Sequence, residues 1–197
     1  MLQKSLRVIK NLLGVSRGPS DNRSHRFVAV IECALNQNAR DTGAASFPCM
    51  NFELLELCHR YGVGILQMPC PEVAALGPER KRPPGQSLRA AMDGDAGRST
   101  CRALACEVSD TIEAYAARGC ELVAVLGGNP LSPGCAVHHG ENGLRKESGV
   151  FMQALQAELR RRQRDPAFRG MRDYDPEQLR EDLAWFQERL EALASRK

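Results

Sequence analysis

"VGILQMPCPE", residues 63–72, is the stretch whose reading decides the fold. Val63 to Met68 is an apolar run of the length of a buried strand. It runs into Pro69-Cys70-Pro71, with Glu72 directly behind. Proline fixes φ and lacks an N–H, so a thiol and a carboxylate are set on stiff backbone where the strand stops. Two other apolar, β-branched runs resemble it: "FVAVI" at 27–31 and "ELVAVLGG" at 121–128. Between them lie helical patterns. Residues 50–60 place Phe52, Leu55 and Cys58 on one face and stop at Tyr61-Gly62, residues 99–118 form a long amphipathic helix stopped by Gly119, and residues 148–163 are helical again. Apolar strands alternating with helices predict a parallel sheet covered on both faces. The expected fold class is α/β, a small Rossmann-like three-layer domain over residues 26–165.

The ends of the chain read differently. Residues 1–25 are expected to form an N-terminal helix and linker, with Leu2, Leu6, Ile9 and Leu13 at helical spacing among basic residues. This piece is a peripheral helix or tail, or a basic membrane-surface or targeting segment. Residues 166–197 form a C-terminal helical extension. Asp175 caps it, Pro176 takes the first helical position, and Leu179, Leu183, Phe186, Leu190 and Leu193 repeat at spacings of 4, 3, 4 and 3. Such a stripe docks on its own domain or makes a homodimer contact.

Composition narrows the function. The 197 residues are 43% hydrophobic, enough for a core, and the net charge of +3 is too mild to imply nucleic acid. Aromatic residues make up only 5%, which argues against base-stacking platforms. No apolar run approaches the ~20 residues of a membrane span, and the N-terminal segment is interrupted by charges, so a cytoplasmic protein with reduced thiols is expected. The eight cysteines are 33, 49, 58, 70, 101, 106, 120 and 135, and no two stand in a C-x-x-C. A zinc ribbon or thioredoxin-type motif is therefore not indicated.

In an open parallel sheet, ligands bind beyond the carboxyl ends of the strands. Here each strand delivers one cysteine to that rim: Cys33 in "ECALNQN", Cys70 in "PCPE", and Cys135 in "GNPLSPGC". Three thiolates without an obvious fourth ligand point to an iron–sulfur cluster with one open iron. Zinc is the alternative, with His138 or His139 of "CAVHH" as a fourth ligand. Ordinary buried thiols are the plain reading of any one of these cysteines. Cys58, Cys101, Cys106 and Cys120 are read as core thiols, and Cys49 is a candidate for the rim. Glu72, held beside Cys70, is a candidate proton acceptor. Asn36, Gln37 and Asn38 are candidates for substrate binding or for bracing their own loop. The long basic segment 77–100 offers Arg80 and Arg98 as an anion clamp, or simply a solvated loop.

In order and spacing, "ECALNQN", "QMPCPE" with the following "LGPER", and "NPLSPGCAV" resemble the bacterial thiouracil desulfurase family, closest to its uncharacterised desulfurase-related members. The resemblance covers about residues 26–160. It implies a [4Fe-4S] cluster held by Cys33, Cys70 and Cys135, loaded by iron–sulfur assembly machinery, whose open iron takes sulfur from a thiolated small molecule. The implied activity is redox-neutral desulfuration of a thiopyrimidine nucleobase or nucleoside. The family carboxylate falls on Glu72, expected to activate water, and Ser132 matches a serine of the last motif as its catalytic companion. The family pattern there, S-P-S-C-G-S, has Gly134 in place of one serine and Val137 in place of another. The opposing expectation is a non-catalytic iron–sulfur or zinc-binding sensor or interaction module.

Overall fold

A computed structural model describes residues 21–195. The helix expected over residues 1–14 lies outside them. Three runs form strands: β1 (Arg26–Ile31), β2 (Gly64–Met68) and β3 (Glu121–Gly127). A fourth strand of the main sheet, β6 (Phe168–Gly170), follows two short strands, β4 (His139–Gly140) and β5 (Gly143–Leu144), that pair as a separate hairpin. The main sheet has the order β2-β1-β3-β6, and every neighbouring pair is parallel. The α/β fold with a parallel sheet flanked by helices is as expected. The strand completed by Phe168–Gly170 lies beyond the 26–165 span read from sequence, and three residues are too few to show a period.

Burial follows position in the sheet. The two central strands are nearly continuous core: Phe27 to Ile31 in β1 and Val123 to Gly127 in β3 are buried. β2, expected to be buried, is instead the sheet edge, with Gly64 and Gln67 exposed and only Met68 fully inside. Ile65 and Leu66, successive residues on opposite faces, are both half-buried and pack against the core.

Among the described residues seven α-helices follow in chain order: α1 (Glu32–Leu35), α2 (Phe52–Arg60), α3 (Pro71–Leu76), α4 (Leu88–Asp93), α5 (Asp95–Ala116), α6 (Val150–Arg161) and α7 (Pro176–Ala194). α2 starts where Asn51 accepts the Leu54 N–H, and α7 where Asp175 accepts those of Glu177 and Gln178. α5 packs along α6, whereas α2 meets α7. The segment 77–100, expected as one long loop, is partly helical. α4 is capped by Ser87, and α5 begins at Asp95 rather than 99.

The apolar stripe of α7 docks on its own domain. Leu179, Leu183, Phe186, Leu190 and Leu193 all join the core. Asp182, fully buried, ties this helix to the edge strand: it accepts from Arg169 Nε at 2.7 Å and from the Arg172 N–H at 2.9 Å. Cys58 and Cys101 are core thiols as expected, but Cys106 is exposed and Cys120 half-buried. Both lie where the long helix turns its outer face or ends. No helix among the described residues is long and apolar enough to cross a membrane.

Candidate functional site

Because the main strands run parallel, their C-terminal ends share one rim, and each supplies a residue to one cavity of about 840 Å³. Cys33 enters from α1, directly after β1. Cys70 is the N-cap of α3 after β2, with Pro71 at the first helical position, and its N–H donates to Glu32 Oε2 at 2.9 Å. Glu32, one residue before Cys33, thus ties two of the thiol loops together. Cys135 closes the loop after β3, where the Gly128 N–H donates back to the Cys135 carbonyl at 2.8 Å. Gly128 permits this close return: a Cβ there would sit 2.5 Å from the Cys135 sulfur. The end of β6 adds Asp173.

All three thiols are buried. Burial pushes the Cys33 thiol up to about 11, raises Cys70, and lifts Cys135 well above the usual thiol value; the charges of Cys33, Glu72 and Cys70 push Cys135 further up, that of Cys70 does so for Cys33, and that of Glu72 for Cys70. Among the described residues no three His, Cys, Asp or Glu side chains form a group able to hold a metal ion. A single zinc with Zn–S distances near 2.3 Å requires its sulfurs within roughly 4 Å of one another. His138 does not help: its Nε2 donates to the Pro130 carbonyl at 2.9 Å, and neither His138 nor His139 lines the cavity. The sulfur donors of the cavity are the three thiols of Cys33, Cys70 and Cys135.

Glu72 stands in the first turn of α3 and lines the cavity with its carboxylate nearly buried. Its Oε1 accepts from Ser132 Oγ at 2.7 Å and from the Gly134 N–H at 3.3 Å. The same Ser132 hydroxyl accepts the Cys135 N–H at 3.0 Å and lies 3.2 Å from the Cys135 sulfur. The other carboxylate oxygen, Oε2, pairs with Arg80 Nε at 3.7 Å and has no hydrogen bond among the described residues. Gly134, where the resemblance leads one to expect a serine, fits for a steric reason. A Cβ there would lie 2.6 Å from Pro71 Cγ and 3.1 Å from Glu72 Cγ, displacing the carboxylate.

Arg80 reaches the cavity, but not as a surface clamp. Its side chain is 2% exposed, and its Nη2 donates to the Ala39 carbonyl at 2.6 Å while facing the Cys70 sulfur at 3.7 Å. Arg98 does not reach the cavity; its guanidinium is held by Asp93, at 2.7 Å to the carbonyl and 3.0 Å to Oδ1. Asn36, Gln37 and Asn38 do not line the cavity either. Asn36 Oδ1 accepts from the Asn38 N–H at 3.1 Å and from Asn38 Nδ2 at 2.9 Å, a local turn. Gln37 is buried, donating to the Cys33 carbonyl at 2.7 Å and accepting from the Ser46 N–H at 2.8 Å. It braces the cavity wall from behind. Cys49 is exposed and outside the lining.

Sequence reasoning missed Arg40, Asn129 and Asp173, all of which line the cavity. Asp173 has a 1% exposed carboxylate and accepts from Arg40 Nη2 with both oxygens, at 2.7 and 2.6 Å, while Arg40 faces the Cys33 sulfur at 3.8 Å. Asn129 sits three residues before Ser132, with a buried Oδ1 that finds no partner. Arg40 and Asp173 carried no spacing signal, since the pair forms across 133 residues of chain. Asn129 lies inside the quoted "GNPLSPGC", where an asparagine among glycine and prolines reads first as a turn residue. Comparisons of the chain with protein-family models, with curated proteins and with solved structures find no match.

Proposed function

We propose that this chain is a [4Fe-4S]-dependent desulfurase that replaces the sulfur of a thiolated small molecule, a thiopyrimidine nucleobase or nucleoside, with oxygen from water. The observation that carries the reading is the convergence of Cys33, Cys70 and Cys135 on the one cavity that also holds the Glu72–Ser132 pair. Three thiols fit a cluster anchored at three irons; when bound, such a cluster supplies an open iron that acts as a Lewis acid toward the thiocarbonyl sulfur.

The protein's own groups account for the proton. The reaction is a substitution, C=S plus water giving C=O plus hydrogen sulfide, with no net oxidation. Of the two buried carboxylates that line the cavity, Asp173 is committed at both oxygens to Arg40. Glu72 has one oxygen held by Ser132 and Gly134, which fixes its orientation, and leaves Oε2 able to take a proton from water. Ser132 thus serves first as the clamp that aims the carboxylate. The cavity, roughly within the size range of small-molecule sites, leaves room for a planar heterocycle beside the thiols.

The test is turnover by anaerobically purified, iron-loaded protein. Incubation with a thiopyrimidine should release sulfide and the oxygenated base in equal amounts without added reductant. Loaded protein that binds the thiopyrimidine, seen as a shifted visible spectrum, but releases neither product would instead favour a sensing or storage role.

A further inference from the structure

Two arginines are buried at the thiol rim in the same arrangement. Arg40 is 8% exposed and places Nη2 at 3.8 Å from the Cys33 sulfur while binding the Asp173 carboxylate. Arg80 places Nη2 at 3.7 Å from the Cys70 sulfur, with Nε 3.7 Å from Glu72 Oε2. Each guanidinium therefore stands between one carboxylate and one thiol. The two units are joined, since Arg80 Nη2 donates to the carbonyl of Ala39, the residue before Arg40. The Nε of each is buried without a hydrogen-bond partner.

This is a costly way to build a wall. A buried cation carries a desolvation penalty of several kcal/mol, offset only by good pairing. A rim needing only packing would use apolar side chains. Arg80 also holds a φ of 47°, in the left-handed region that a residue with a Cβ rarely adopts. Backbone strain, two buried charges and orphaned donors at one rim need a reason beyond stability. Cys135 differs, because its sulfur faces only the neutral Ser132 hydroxyl.

We infer that Arg40 and Arg80 are positioning residues that tune the cluster, each directing a charge-assisted N–H toward the sulfur of one ligand, Cys33 or Cys70, and leaving Cys135 the most electron-rich of the three anchors. The inference rests on the reading of these cysteines as cluster ligands. Hydrogen bonds to ligand sulfurs and nearby charge set the reduction potential of an iron–sulfur centre. Withdrawing electron density from two thiolates makes the irons better Lewis acids. Asp173 works in the opposite sense by offsetting the charge of Arg40.

The test is the midpoint potential of the iron-loaded protein, measured with iron content on wild type, Arg40→Gln, Arg80→Gln and Asp173→Asn. Removing either cation should move the potential to more negative values. Asp173→Asn should move it to more positive values, because Arg40 is no longer offset. Opposite signs are the signature of electrostatic tuning; unchanged potentials, or one common direction for all three variants, would overturn it. If the glutamine variants lose too much iron to titrate, Arg40→Lys and Arg80→Lys keep the charge and should restore loading at a potential nearer wild type. Failure of the lysine variants to load would assign these residues to structure alone. Wild-type protein that takes up no iron overturns the cluster reading itself, and that result is read before any variant.

Discussion

At the scale of residues, the proton transfer turns on what Glu72 can still do once its neighbours have taken their share. Ser132 and Gly134 hold one oxygen, and the other pairs with Arg80 Nε at 3.7 Å without a hydrogen bond among the described residues. Glu72→Gln keeps the size and most of the bonding but cannot accept a proton. It should retain iron and fold, still bind a thiopyrimidine, and turn it over at least about a hundredfold more slowly, since a general base contributes ~10²–10⁴ in rate. Unchanged turnover in steady-state assays would assign the proton to another group. A second prediction concerns thiols away from the cavity. Burial pushes Cys58 up to about 12 and Cys101 up to about 11, from an ordinary value of 9.0. A thiol raised by folding favours the folded state while it stays protonated. That stabilisation is complete below pH 9 and is lost as pH climbs from 9 toward 11 or 12. Denaturant unfolding of metal-free protein should therefore show stability level from pH 7 to 8.5 and falling above 9. A stability that rises over the upper range would contradict the burial of both thiols.

At the scale of elements, short loops matter more than long helices. The strand ends were legible because proline, glycine and cysteine punctuate apolar runs at Pro69-Cys70-Pro71 and at Gly128 to Cys135. The Glu72 and Ser132 positions were legible from the same motifs. What was not legible came from pairing across the sheet. β6 is three residues long, and its place beside β3 depends on Asp182 in α7 accepting from Arg169 and from the Arg172 N–H. No local pattern announces that. Asp173, three residues beyond this strand, was missed with it. The asparagines of 36 and 38 misled because a polar triplet at a strand end serves loop geometry as readily as ligand binding. Asp182→Ala would strand two arginines around an empty buried site, and breaking a buried pair costs about 3–5 kcal/mol. Chemical denaturation should show that loss. A loss under about 1 kcal/mol would mean that α7 is held by its leucines alone.

At the scale of the molecule, the strand order explains why the thiols meet. With β1 between β2 and β3, the chain leaves β1 on one side to reach β2 and crosses to the other to form β3. That reversal leaves a crevice beyond the strand ends, the usual ligand site of such sheets. Cys33, Cys70 and Cys135 follow the three strands that bound it, while Cys58, Cys106 and Cys120 sit elsewhere. The most direct test is therefore iron and acid-labile sulfide per chain in anaerobically prepared protein, with single alanine substitutions in both sets. The account predicts a brown wild type with about four irons per chain, as a cubane requires. It predicts iron lost on Cys33→Ala, Cys70→Ala or Cys135→Ala, and retained on Cys58→Ala, Cys106→Ala or Cys120→Ala. A folded, colourless wild type without iron, or two sets that lose iron equally, would contradict it.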